Sequence, residues 1–211
     1  MSNWFKKSRR EFAKLAMLKQ GCGVYVEVGC WKGDSAEWVM QNVRPKDAYG
    51  LDPYPPDAKH SQDEVDQIYK DTKKRLAAYA AFKLFRYDSQ VELRLWPPNR
   101  GLIDLLYLDG RHDAAGVVLD FCLAWHALNE GAIVIFDDFG IGKRKTHRHV
   151  PEAFEALCLA FGDQVEVIHR GPKQAALKII TKIPPMEPKM NRLVGVAARR
   201  ARREARNKQA T

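Results

Sequence analysis

Five short segments carry residue types that could do chemistry together. The first is Glu27-x-Gly29-x-x-x-Gly33-x-Ser35, where an apolar run reaches an acid and turns through two glycines into a helix-like stretch. Glycines there let the backbone approach a ligand, and the following helix start offers N–H groups to an anion. The spacing is not the G-x-G-x-x-G of a dinucleotide fold. Next come Asp52, an acid placed to accept hydrogen bonds from ribose hydroxyls, and then Asp88-Ser89. Asp109-Gly110-x-His112 and Asp137-Asp138 complete the set. Carboxylates converging from Asp109, Asp137 and Asp138 would repel unless protons or a cation intervene, and a hard ion such as Mg²⁺ suits oxygen ligands. The other reading of Asp137-Asp138 is a pair that only shapes its loop. Histidine as a side chain titrates near neutrality, so His112 could take a proton from a hydroxyl, or could simply cap the next helix.

The elements that must position these residues alternate. Apolar runs at 24–27, 48–51, 82–87, 103–108 and 132–136 read as strands, each closed by an acid or a glycine turn. Helical patterns are expected over about 4–19, 35–43, 63–79, 114–128 and 150–161, the last opened by Pro151. The Asp52-Pro53-Tyr54-Pro55-Pro56 stretch forbids regular structure. Segments 165–168 and 175–181 read as a closing antiparallel pair around Gly171-Pro172. In open parallel sheets ligands sit at the carboxyl ends of the strands, so the acids should line one crevice.

In this order the motifs resemble those of class I S-adenosylmethionine-dependent methyltransferases, over roughly residues 24–180. The similarity is greatest to small O-methyltransferases of the catechol, caffeoyl-coenzyme A and macrolide-sugar types. It implies an α/β fold: a doubly wound, mostly parallel seven-stranded sheet with an antiparallel closing strand. S-adenosylmethionine is the implied cofactor, its methionyl part held by Glu27 and the Gly29–Gly33 loop, its carboxylate by Ser35 and its ribose by Asp52. Asp88 and Ser89 lie near the adenine, or else cap a helix after the third strand. Asp109, Asp137 and Asp138 match metal positions, where the third ligand of the family is often Asn. His112 falls where the catechol type carries a lysine base, so either His112 or Asp109 is the expected catalytic base. Trp31 walls the pocket or belongs to the core.

Composition supports one domain in the chain of 211 residues, spanning 1–183, with a Pro-containing linker and basic tail over 184–211. The net charge is +9, but residues 189–211 hold eight Lys or Arg and one Glu, so +7 of it belongs to the tail. Such a tail either grips nucleic acid through phosphates or is a solvated arm, and the arm is the favoured reading. The basic run Lys143, Arg144, Lys145, His147, Arg148, His149 is either a lid for an acidic substrate or a solvated loop. No apolar run long enough to span a membrane occurs, and the charged N-terminus does not read as a secretory signal. Cys22, Cys30, Cys122 and Cys158 lack zinc spacing, so reduced thiols and a cytoplasmic location are expected.

Three function classes remain. The first is O-methylation of a small hydroxylated acceptor, assisted by Mg²⁺. The second is nucleic-acid methylation using the tail, although no N/D-P-P-Y/F motif is present. The third is a non-catalytic module on the same fold, which the intact cofactor motif disfavours.

Overall fold

A computed structural model describes residues 3–140 and 149–182. Residues 141–148, which hold the basic run up to Arg148, and residues 183–211, which hold the linker and tail, lie outside the described residues, so the lid and tail expectations fall there. The chain runs α1 (Asn3–Ala16), β1 (Val24–Val28), α2 (Asp34–Asn42), β2 (Asp47–Leu51), α3 (Gln62–Leu76), β3 (Phe82–Phe85), α4 (Ser89–Arg94) and β4 (Ile103–Leu108). It continues with α5 (Ala114–Ala124), β5 (Leu128–Phe136), α6 (His149–Phe161), β6 (Val165–Arg170) and β7 (Ala175–Ile179).

The strands form one seven-stranded sheet in the order β3-β2-β1-β4-β5-β7-β6. The pairs β1–β2, β2–β3, β1–β4 and β4–β5 are parallel, while β7 is antiparallel to both β5 and β6. This is the doubly wound, mostly parallel sheet expected from the sequence.

Strand alternation builds two cores, because successive side chains point to opposite faces. Tyr25, Leu105, Tyr107, Ile133 and Ile135 meet Phe5, Phe12, Trp38, Val39 and Leu76 from α1, α2 and α3. Val24, Val26, Val28, Leu106, Val134 and Phe136 meet Leu93, Phe121, Phe154 and Leu157 from α4, α5 and α6. Helices thus cover both faces, as a largely parallel sheet requires. The chain leaves β1 toward β2 and β3 on one side, and places β4 and β5 on the other. The crevice between the ends of β1 and β4 is therefore the topological switch point.

A six-residue helix, α4, follows β3, and Asp88 caps it by accepting from the Gln90 amide at 2.8 Å, the capping alternative left open by the sequence. Helix α5 ends at Ala124, short of the expected 128. The fifth strand begins at Leu128 rather than Ala132, with Gly131 at φ +78 inside it. Its register jumps between Ile103↔Leu128 and Leu105↔Ile133, so the extra residues bulge out opposite Asp104. Asn129 anchors the bulge by donating to Asp104 Oδ1 at 3.1 Å.

Candidate active site

The turn after β1 is shaped by its glycines, for a reason the sequence does not reveal. Gly29 has φ +85, and a Cβ there would overlap the backbone carbonyl of Asp109. Gly33 has φ +69, and a Cβ would lie 2.8 Å from Leu76 Cδ1 of α3. At Gly29 a side chain is excluded by the backbone at the end of β4, while at Gly33 the positive φ disfavours one and the side chains of α3 would have to give way. The turn between them is clamped from several sides. Asp52 Oδ2 accepts from the Trp31 amide at 2.8 Å, and the Tyr54 and Thr72 hydroxyls donate to the Trp31 carbonyl at 2.6 and 3.1 Å. Arg75 of α3 donates to the Lys32 carbonyl and pairs with Asp34 at 3.1 Å. These bonds hold Trp31 at φ +44, a conformation that an L residue adopts only under constraint.

Beside this turn lies a cavity of about 360 Å³ at the carboxyl ends of the strands. Gly29, Trp31, Asp52, Asp88, Ser89, Asp109 and His112 all stand on its wall. Trp31 is half-buried there, which answers whether it walls the pocket. Pro53, Pro55, Asp57 and Arg111 also line it. The proline loop thus has a positional use that its composition alone does not announce. Asp52 also accepts from the Tyr54 amide at 2.8 Å, and its burial raises its pKa against those two hydrogen bonds.

Glu27, Gly33 and Ser35 are not on the cavity wall. Glu27 and Ser35 are fully buried, and the Ser35 hydroxyl donates to Glu27 Oε1 while Tyr25 donates to Oε2 at 2.9 Å. Burial pushes the Glu27 carboxyl up to about 8, although both hydrogen bonds oppose the shift. The residues expected at the methionyl end therefore form a buried polar brace between β1 and α2. Cys30 is fully buried and packs near Gly50, in keeping with a packing role.

The acids at the ends of β4 and β5 divide into two groups. Asp109, His112 and Asp138 each bring one ligand atom within 4.8 Å of the others. His112 Nδ1 lies 3.3 Å from Asp138 Oδ2, and Asp138 sits at φ +54. Asp137 stands outside this group. It is 6% exposed, and its Oδ1 accepts from Gln174 Nε2 at 2.6 Å. The Gln174 amide also reaches Tyr107 Oη at 3.4 Å. That bond holds one Asp137 oxygen inward, yet Asp137 and Asp138 both act on Asp109, so the three acids at the adjacent strand ends do meet. Burial, then the charges of Asp137 and Asp138, raise Asp109 well above the usual carboxylate range. Asp137 rises to about 6, through burial opposed chiefly by its Gln174 bond. Asp109 and Asp137 act on each other, and both stand above the ordinary carboxylate range.

Gln174 escaped the sequence reading because it lies on the β6–β7 hairpin, with no motif around it. Glu11 of α1 fixes that hairpin, its Oε2 accepting from the Lys173 and Gln174 amides at 3.3 and 3.1 Å. Arg75 was equally silent, being one of several cations on a polar helix.

Comparison with known proteins adds the following. A family model described as a methyltransferase domain matches residues 26–139. An uncharacterized protein of Acanthamoeba polyphaga mimivirus is 32% identical over 136 residues, covering 63% of this chain and 57% of that protein. The match thus spans little more than half of that relative's length. Among solved structures, the O-methyltransferase TomG of Streptomyces achromogenes superposes with TM-score 0.61 at 14% identity, over 82% of this chain and 80% of that one. The N-methyltransferase NodS of Bradyrhizobium japonicum gives 0.59 at 14% identity, covering 85% and 99%. An rRNA methylase of Streptococcus thermophilus gives 0.57 at 11%, covering 82% and 95%. At such identities these three speak for the fold.

Proposed function

The chain belongs to the methyltransferase-domain family of class I S-adenosylmethionine-dependent enzymes, and on that premise we propose that it methylates a hydroxyl of a small-molecule acceptor. S-adenosylmethionine supplies a methyl group already activated by the sulfonium charge, so the protein has to align, deprotonate and exclude water. In this reading Asp52 receives the ribose hydroxyls, Asp88 and Ser89 flank the adenine, and the Gly29 turn with Trp31 walls the methionyl part. Glu27, Gly33 and Ser35 act from behind, by fixing that turn against β1, α2 and α3.

His112 takes the acceptor proton. Asp138 beside Nδ1 favours the tautomer protonated there, which makes Nε2 the basic nitrogen and stabilises the imidazolium that forms. Asp109 and Asp138 fit a divalent cation such as Mg²⁺, which is commonly held by one or two carboxylates and waters. When bound, such a cation lowers the pKa of a hydroxyl beside it. Asp137, one of whose oxygens accepts from Gln174, stands beside Asp109 and supports that pair from the protein side. If His112 were itself a ligand, the mixed nitrogen and oxygen set would suit Mn²⁺ better than Mg²⁺.

The observation that supports this reading is the approach of Asp109, His112 and Asp138 within 4.8 Å beside the cavity that Asp52 and Ser89 also line. The test is transfer of labelled methyl from S-adenosylmethionine to a panel of hydroxylated acceptors, with and without chelator. Transfer abolished by His112→Ala with cofactor affinity retained supports the base. Labelling of RNA alone would favour the second reading, in which the basic tail recruits a nucleic-acid acceptor.

A further inference from the structure

Helix α5 reads AAGVVLDFCLA, and Asp120 is its lone charged residue. Its side chain is 2% exposed, and a carboxylate carried that far from water costs several kcal/mol unless it is paired. The hydrogen-bond partner the structure gives it is a single hydroxyl: Ser89 Oγ donates to Asp120 Oδ1 at 2.7 Å. Ser89 begins α4, is 7% exposed and stands on the cavity wall. An ionised carboxylate only accepts hydrogen bonds, and a hydroxyl has one hydrogen to give. While Asp120 takes that hydrogen, the Ser89 oxygen can offer only lone pairs to whatever lies against it. Burial raises the Asp120 carboxyl to about 6, against the Ser89 bond, and Asp88, Arg111 and Asp113 are the other charges acting on it. It is therefore largely ionised at neutral pH. Arg111 on the same wall is engaged through Nε with Asp113 at 2.9 Å.

We infer that Asp120 is a positioning residue that fixes the Ser89 hydroxyl as an acceptor, and so selects a purine bearing an exocyclic amine over one bearing a carbonyl at that position. The inference rests on the proposed placement of adenine beside Ser89 and adds the group that sets its specificity. A carbonyl in place of the amine would set two acceptors against each other, leaving both unsatisfied in a buried place. A purely structural clasp between α5 and the start of α4 would not distinguish the two bases.

Calorimetric titration with S-adenosylhomocysteine and with S-inosylhomocysteine, its deaminated counterpart, reads the effect directly. The wild-type protein should bind the adenine form about tenfold tighter or more. Asp120→Ala and Ser89→Ala should each bring that ratio several-fold closer to one, and the double variant should fall no further than Ser89→Ala. A wild-type protein that binds both equally, or an Asp120→Ala variant that keeps the full ratio, overturns the inference. So does a loss on Asp120→Ala that is equally large without Ser89. Should Asp120→Ala fail to fold, the decision passes to Ser89→Ala, where an unchanged ratio overturns the inference. Failure of the wild-type protein to bind either compound would instead remove the cofactor reading itself.

Discussion

Gln174 and Asp137 are joined by a 2.6 Å hydrogen bond that crosses from the β6–β7 hairpin to the end of β5. It draws one acid of the Asp137-Asp138 pair into the protein, while its neighbour faces His112. Two adjacent aspartates therefore have different tasks. The left-handed conformation of Asp138 is where the chain turns between them.

Replacing Gln174 with leucine keeps most of the volume and removes the amide. Asp137 would then keep its burial but lose its closest donor. Urea unfolding should show a loss of about 1–3 kcal/mol, with the Asp137 pKa rising further. A variant as stable as the wild type would show that the bond contributes nothing net.

Gly29→Ala should be far more damaging than Gly21→Ala. Both glycines have positive φ, but a Cβ at Gly21 meets nothing within 4 Å, whereas at Gly29 it overlaps the Asp109 carbonyl. The expected costs are about 1 kcal/mol at Gly21 and over 3 kcal/mol at Gly29. Loss of S-adenosylhomocysteine binding should accompany only the second. Equal effects would argue against the contact between the ends of β1 and β4.

Glu27 should make stability depend on pH. Its pKa rises from an ordinary 4.5 to about 8 in the fold, so the native state holds a proton that the unfolded chain has released. Its contribution is complete below about pH 4.5 and declines as pH rises toward 8, levelling off above. Glu27→Gln, neutral throughout, should lessen the slope of the urea midpoint between pH 6 and 8, leaving what Asp109, also raised, contributes. Below that range Asp120 and Asp137, each raised to about 6, add a slope of the same sign. An unchanged slope in Glu27→Gln would contradict a protonated Glu27.

The glycine turn, the strands and the strand-end acids were legible because each rests on a local signal, an apolar run closing on an acid or a glycine, whereas the doubly wound sheet was implied by the family resemblance. The partners that decide what those acids do were not. Asp137 looks like Asp138 in sequence, and only the distant hairpin carrying Gln174 separates them. Ser35 reads as a ligand contact at a helix start, yet the buried Glu27 eight residues earlier takes its hydrogen. Asp120 did leave a trace, a single charge in an apolar helix, but its meaning depends on Ser89 lying across the α4–α5 contact.

Removing residues 189–211 should leave S-adenosylhomocysteine affinity unchanged, since the cavity lining found among the described residues comes from residues 28–112. RNA binding, if present in the full chain, should fall steeply with salt and vanish on truncation. Cofactor affinity that drops on truncation would place the tail in the site.

S-adenosylmethionine is proposed to bind in the cavity walled by Gly29, Asp52, Ser89 and Asp109. Calorimetric titration of S-adenosylhomocysteine into the wild-type protein and Asp52→Asn tests this placement. The wild type should bind at one site, and the variant, which loses the charged acceptor for the ribose hydroxyls, should bind at least about tenfold more weakly. A folded wild-type protein that binds no S-adenosylhomocysteine, or an Asp52→Asn variant that binds it equally well, would show that the cofactor does not sit there.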